Sequence, residues 1–516
     1  MSTATSAVQR RQARLSRLPA TGHAVGLAIL IALSSFLFFF ELGRPNLLLW
    51  DESRLAVNAL EMAQSGNYLV TTYDGAPDTW NSKPPLAIWL MSLSVSLLGA
   101  SEVSVRLPAA LSGFFTMLLL YVFSRSAMRN RLAGLTAGFV LVTSTGYVAE
   151  HVTRTSDYDG ILVLFITAYV LAFFLWIEGQ DAWRRRYLAI FTGCLCLAVL
   201  TKGVAGLMPM PGLALWIAVR GKLGLALRRG EVYLALVVLV SAASVYYLLR
   251  ESFNPGYIDA VMRNEILSGF QVIEGHSGSP LFYVEYLTVK LVPWVYLIPA
   301  AVAYLTLTGN RTERLLCLYL MTCALSYLAV ISSASTKLPW YDAPLYPLAA
   351  VILGHAMAKL LEDIRDGVTG TAATAAAPLL LGAILVLPAW NIIYGISSAH
   401  GVIYEWSRDW NPSGRYWHHQ QMYGQYLRDV LREHRDIGRV LIADSADDAH
   451  LKFYTMILSD ARRDLVRARD GEPYASGDVV VSCDRRIIQA IRKTYRAAVI
   501  DNASPVCRTL RIDAAS

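Results

Sequence analysis

Apolar residues along this chain gather in blocks of about 20, the length a helix needs to cross the hydrocarbon core of a bilayer. The blocks fall near 24–43, 104–126, 132–150, 158–178, 187–206, 207–220, 231–250, 286–307, 314–334, 342–361 and 374–396. The pattern predicts a polytopic α-helical membrane protein of about 11–13 helices. The 207–220 block is short and holds Pro209 and Pro211, which interrupt a helix. A further stretch, 84–99, is too short to cross; Pro84 and Pro85 open it, and it reads as interfacial or as a partial span.

The polar connections sort by charge. With the N-terminus in the cytoplasm, the loops on that side carry Arg125, Arg129 and Arg131; Arg184, Arg185 and Arg186; Arg220, Lys222, Arg228 and Arg229; Arg311 and Arg314; Lys359 and Arg365. Every one is basic, as the positive-inside rule asks. Arg10, Arg11, Arg14 and Arg17 precede the first block, no small-x-small cleavage site follows it, and it reads as a retained helix. The opposite side receives the loops 44–103 and 251–285, and the tail.

Composition agrees. Charged residues make up 16% and hydrophobic residues 55%, against roughly 25% charged in soluble domains; mean hydropathy is +0.40. The net charge of +7 resides in the loops that orient the helices, so it does not point to nucleic acid. The tail differs. "GRVLIADSADDAHLKFY" and "GDVVVSCDRRIIQAIRKTY" each read as strand then helix, with short strands at "AAVIDN" and "RTLRI". This predicts a membrane domain over 1–398 and a small extracytoplasmic α/β domain over 399–516. Cys483 and Cys507 both lie in that tail, where an oxidising compartment permits a disulfide. Cys194, Cys196, Cys317 and Cys323 sit in apolar blocks and read as small core residues.

The segments that could carry chemistry all fall on the predicted outer side. "LLLWDESRLAV" sets Asp51, Glu52 and Arg54 just where the chain leaves the first span. This is either a solvated ion pair or a carboxylate held at a low-dielectric boundary to act as a general base. "WNSKPP" places Lys83 before two prolines, either snorkelling or holding an anionic headgroup. "RTSDYDGILVLF" places Arg154, Asp157 and Asp159 at the mouth of an apolar helix, as N-caps, as functional groups, or both. Lys202 in "TKG" and Lys337 in "STKLPWYD", with Trp340 and Tyr341 beside it, break the positive-inside trend. Five outer cations near three aspartates suggest a pocket for a lipid-borne phosphate. In the 251–285 loop, Glu265 and His276 are donors that suit a divalent cation, although their spacing matches no compact ligand pattern and a structural loop is the plainer reading. Dependence on a metal stays open, and no other cofactor is indicated.

The ordered series "DESR", "ALEMAQSGNYLV", "KPP", "VRLPAAL", "SDYDG", "TKG", "HSGSPLFYV" and "KLPWY" resembles the GT-C membrane glycosyltransferases, in particular the lipid A aminoarabinose transferase family and the related protein O-mannosyltransferases. The resemblance covers about residues 45–360. It implies a polyprenyl-phosphate-linked sugar donor and a lipid, glycan or protein acceptor at the outer face of a bacterial inner membrane. Asp51 falls on the family's catalytic carboxylate, Arg54 and Lys83 on groups associated with the donor phosphate, and Asp159, or else Asp157, on the second acidic position. The chain has Ser82 before Lys83 where the transferase has Glu, and Gly160 after Asp159 where it has Pro. Those departures point to a sibling with another sugar or acceptor. A transporter or lipid flippase would instead place ionisable groups near mid-membrane in broken helices, and a scaffold would leave the outer cluster of cations and aspartates unexplained.

Overall fold

The structure is a computed structural model. It describes residues 20–149, 151–179, 184–267, 278–367, a few between 382 and 396, and most of 422–515. Among the described residues, seven helices are long and apolar enough to cross a membrane: α1 (Ala20–Phe39), α4 (Glu102–Ser126), α6 (Asp159–Glu178), α7 (Arg184–Lys202), α9 (Gly230–Phe253), α12 (Arg311–Ser333) and α13 (Leu345–Gly367). Between them come α2 (Asp51–Ser65), α3 (Leu86–Leu98), α5 (Arg131–Val142) and α8 (Met210–Val219). Helices α10 (Phe282–Lys290) and α11 (Trp294–Thr308) form one apolar pair bent by 99°. Tyr169, Trp216, Trp294 and Tyr319 lie in the largest buried cluster. Helix α9 turns most of its length outward, and its exposed Leu234, Val237, Val240 and Leu248 need lipid rather than water against them.

Several expected spans are shorter than the apolar pattern suggested. The 132–150 block is helical only to Val142. Thr143 and Ser144 then turn their hydroxyls back onto the carbonyls of Phe139 and Val140, at 2.8 and 2.7 Å, which competes with the helical ladder. The chain leaves the helix with Gly146 pressed on Tyr346, where a Cβ would lie 1.9 Å from the phenol oxygen. That early exit frees the stretch that carries Asp157 to return to the helix ends. The 207–220 block gives only α8, behind Pro209, and 84–99 gives the short α3. The last expected span lies mainly outside the described residues, apart from the helix Leu385–Tyr394; so does the expected boundary at 398–399.

The tail forms a five-stranded sheet in the order β4-β3-β5-β7-β6, with β3 Arg439–Ile442, β4 Asp464–Arg467, β5 Val479–Ser482, β6 Tyr495–Asp501 and β7 Arg508–Ala515. A two-stranded hairpin, β1 (Thr72–Tyr73) with β2 (Ala76–Pro77), precedes it in the chain. Strand β3 runs parallel to β4 and β5, whereas β7 is antiparallel to both neighbours. Helices α14 (Tyr423–Glu433), α15 (Asp448–Leu458) and α16 (Arg485–Thr494) complete it, and a Cys483–Cys507 disulfide ties the end of β5 to the start of β7. The tail sits on α2. Ala56, Val57 and Leu60 share a core with Leu451, Phe453 and Tyr454. The Tyr454 hydroxyl accepts from the Leu47 amide at 3.0 Å and donates to Glu102 at 2.8 Å. Arg428 pairs with Glu102, and Lys452 with Glu61 and Asp74.

One buried ion pair fixes where α2 begins. Glu52 is 0% and Arg106 2% exposed, and they meet through Nε at 2.6 Å and Nη2 at 3.0 Å. The remaining Arg106 donors serve the carbonyls of Leu42, Pro45 and Asn46. Removing one partner leaves an uncompensated buried charge, so Arg106→Ala is expected to cost about 3–5 kcal/mol. Thermal unfolding of the detergent-solubilised protein checks this; a melting curve that does not move would show the pair to be dispensable.

Candidate active site

Helix α2 opens on Asp51 and Glu52, an acidic first turn suited to a helix N-terminus. The preceding Trp50 holds a left-handed φ of 67°, and the two carboxylates diverge. Glu52 faces inward. Besides Arg106 it accepts from the amides of Leu48 at 2.7 Å and Ser156 at 3.0 Å. Every lone-pair direction is used, so the structure gives this expected catalytic residue the work of a staple. The Ser156 bond matters most, because it fastens the 151–158 loop to the first turn of α2.

That fastening brings Asp51 beside two residues a hundred positions away. Ligand-capable atoms of Asp51, His151 and Asp157 all lie within 4.8 Å of one another. His151 has a left-handed backbone, φ 59°, and its amide donates to the Thr155 hydroxyl at 2.7 Å. Its ring lies flat on Trp340, centroids 3.6 Å apart and planes 16° apart, with Nδ1 3.3 Å from Asp157. Thr155 donates to the same Asp157 oxygen at 2.5 Å. Asp159, the first residue of α6, takes Lys202 from the end of α7 at 2.7 and 2.8 Å. Lys202 stands 5.1 Å from the Tyr341 ring centre.

Charge sets the two aspartates apart. Burial raises the Asp51 pKa above the ordinary carboxylate value, Asp157 raises it further, and Lys83, His151 and Lys202 pull the other way. Burial acts on Asp157 too, but the charge and hydrogen bond of His151, the Thr155 hydroxyl and Lys202 outweigh it and hold that carboxyl low. The site thus pairs a carboxylate that takes a proton readily with one that stays ionised. Among the described residues Asp51 itself has no ion pair or hydrogen bond from its side chain.

The five cations expected to hold a phosphate part company. Lys83 and Lys202 act on Asp51 through their charge. Lys83 is paired with Glu265 at 3.2 Å, and Ser82 donates to the same carboxylate at 2.8 Å. Arg54, one turn along α2, forks onto Asp78 with two bonds of 2.9 Å and lies 3.4 Å over Tyr73. Arg154 donates to the carbonyls of Leu37, Phe38 and Phe40 beyond and at the end of α1, and Lys337 to those of Ser332 and Ala334 at the end of α12. Both close helix ends, and neither stands in the Asp51 cluster. Trp340 and Tyr341 do, one under His151 and one beside Lys202. Of the expected metal donors, Glu265 is taken by Lys83 and Ser82, and His276 lies outside the described residues.

Sequence reasoning missed His151, although it stands in the same short segment as Asp157. A left-handed histidine leaves no mark on hydropathy. It also missed Arg106, inside "VRLPAAL", and Asp78. A polar chain runs from Asp78 through Asn58 and Asn81 to Tyr158, with bonds of 3.0, 2.9 and 2.8 Å.

Residues 82–248 match the family described as dolichyl-phosphate-mannose-protein mannosyltransferase. The chain is 26% identical over 347 residues to an undecaprenyl phosphate-alpha-4-amino-4-deoxy-L-arabinose arabinosyl transferase of Shewanella sediminis, covering 66% of this chain and 62% of that one. It is 25% identical over 362 residues to the enzyme of the same name from Erwinia tasmaniensis, covering 67% and 63%. It therefore spans just over three-fifths of the length of these relatives. Among solved structures it superposes on ArnT from Cupriavidus metallidurans bound to undecaprenyl phosphate with a TM-score of 0.70 and 18% identity, over 95% of this chain and 98% of that one. The Archaeoglobus fulgidus oligosaccharyltransferase follows with 0.54 and 13%, over 94% and 74%. The chain is a polytopic α-helical membrane protein of the GT-C type, and in sequence it resembles the aminoarabinose transferases and protein mannosyltransferases of that fold.

Proposed function

We propose that the chain is an inverting glycosyltransferase that moves a sugar from a polyprenyl-phosphate donor to a lipid, glycan or protein acceptor. The observation that carries this reading is the convergence of Asp51, Lys83, His151, Asp157, Asp159 and Lys202 at one end of an apolar helical bundle. A donor with a lipid tail lies among the helices and presents its phosphate at their ends. Lys83 and Lys202 take the charge that the leaving phosphate develops, a task for point charges aimed into a poorly solvated site. Asp51 takes the proton of the acceptor as its oxygen or nitrogen attacks the anomeric carbon from the face opposite the phosphate. Arg54 reaches the phosphate only by releasing Asp78.

The reading places the N-terminus in the cytoplasm and residues 399–516 outside it. Its supports are the basic loops gathered at the end away from Asp51, including Arg220 and Lys222 paired with Glu178 and Arg185 with Glu231, and the Cys483–Cys507 disulfide in the tail. The relatives act on undecaprenyl phosphate carrying 4-amino-4-deoxy-L-arabinose, which makes that lipid the first donor to try. Nothing in the comparisons favours a transporter or flippase.

With the purified protein in lipid nanodiscs and a donor labelled in its sugar, Asp51→Asn is expected to lower the transfer rate about 100-fold or more; full transfer would remove Asp51 from the base role. Lys83→Gln is expected to raise KM for the donor more than KM for the acceptor, and the reverse order would reject its phosphate assignment. The rate should fall as pH drops and Asp51 protonates, with a midpoint above the 3.8 of an ordinary aspartate. Lys83 favours the ionised form of Asp51, so Lys83→Gln should move that midpoint to higher pH; a shift to lower pH contradicts the electrostatics described above.

A further inference from the structure

The lysine proposed to hold the donor phosphate already carries an anion that the chain itself supplies. One Glu265 oxygen accepts from the Ser82 hydroxyl at 2.8 Å and lies 3.2 Å from Lys83 Nζ. Two donors converging on one anionic oxygen is also what a phosphate oxygen requires. The carboxylate belongs to the electrostatics of the candidate site. The charges of Lys83, Asp159, Glu265 and Asp51 all act on the Tyr341 hydroxyl. That of Glu265 also reaches the hydroxyl of Tyr158, whose ring centre lies 5.7 Å from Lys83 Nζ. The way Glu265 is held suits a group that lets go. The segment after α9 is anchored at Tyr257, which is 0% exposed and donates to the Ser82 carbonyl at 2.8 Å. Glu265 lies further on, in the π-helical turn Met262–Ile266, none of whose residues is buried. Such turns are rare and are frequent at functional sites. The Lys83 and Glu265 side chains are 27% and 21% exposed, and an ion pair so open to water is weakly held.

We infer that Glu265 is an internal competitor for the lipid-borne phosphate at Lys83 and Ser82, and so sets how tightly the site holds its lipid. This rests on the phosphate assignment of Lys83 made above. The Ser82 hydroxyl has one hydrogen to give, so a phosphate takes it only when Glu265 releases it. A carboxylate left beside the bound phosphate would repel it, so the arriving phosphate displaces Glu265 from Lys83 as well. Once the sugar has moved to the acceptor, the returning carboxylate competes with the phosphate of the product lipid for the same two donors. Glu265 thus weakens lipid binding and opposes retention of the product.

The test measures binding of undecaprenyl phosphate to the full chain in nanodiscs. Glu265→Gln keeps the size of the side chain and its oxygen for Ser82 but loses the charge. It is expected to bind the lipid phosphate about fivefold tighter, the upper end of what one partly exposed ion pair is worth. Lys83→Gln should bind it more weakly. The double variant Lys83→Gln with Glu265→Gln should bind no tighter than Lys83→Gln alone, because the competition needs the lysine. Asp259→Asn removes an exposed charge from the same segment and should leave the affinity unchanged. Equal or weaker binding by Glu265→Gln overturns the competitor and makes Glu265 a support for Lys83. A gain that persists without Lys83, or that Asp259→Asn matches, is a general effect of charge and overturns it too. A wild type that binds no lipid phosphate, or a Lys83→Gln that binds it as well as wild type, fails the phosphate assignment and this inference together. Weaker binding by Lys83→Gln with no gain in Glu265→Gln fails this inference alone.

Discussion

The Glu52–Arg106 ion pair is the constraint from which the site's geometry follows. Two opposite charges removed from water gain little net stability by themselves, because desolvation consumes most of the attraction. What they fix is position. Arg106, on α4, collects three carbonyls from the 42–46 turn, while Glu52 collects the amides of Leu48 and Ser156. A single buried knot thereby joins α4, the start of α2 and the loop before α6. Asp51 is the next residue along, and its neighbours are dictated by that knot.

Around it the ionisable residues divide by what satisfies them. Arg154 and Lys337 are absorbed by backbone carbonyls and Arg54 by Asp78. Lys202 answers Asp159 and Lys83 answers Glu265. Asp51, by contrast, faces another carboxylate at short range, which destabilises its charged form. A fold that placed stability first would have put a neutral group there. The repulsion is retained where the proposed proton transfer occurs, and that coincidence gives the site its chemical character.

The membrane nature of the chain and the α/β tail were legible in the sequence, as were most residues of the candidate site. Hydropathy reports burial in lipid directly, and residues such as Asp51, Lys83 and Asp159 are conspicuous against apolar flanks. Pattern could not say which charges were already occupied. Arg154 and Lys202 look alike in sequence, each beside an apolar run. One meets three carbonyls and the other a carboxylate, because of where α1 ends and α6 begins. His151 stayed hidden for a related reason: its significance lies in a backbone angle and in a tryptophan nearly two hundred residues later. The span lengths misled where hydroxyls ended a helix early, as Thr143 and Ser144 do.

The tail's seat on α2 has a bearing on how the molecule is made. Ribosomes deliver the N-terminus first, so the helix that carries Asp51 exists while residues 423–458 are still unsynthesised. Until α15 arrives, Ala56, Val57 and Leu60 have no partner on that flank, and Glu61 and Glu102 wait for Lys452 and Arg428. Completion of the candidate site is therefore a late event in biosynthesis, and a nascent or prematurely ended chain carries the residues around Asp51 without the brace that sets them.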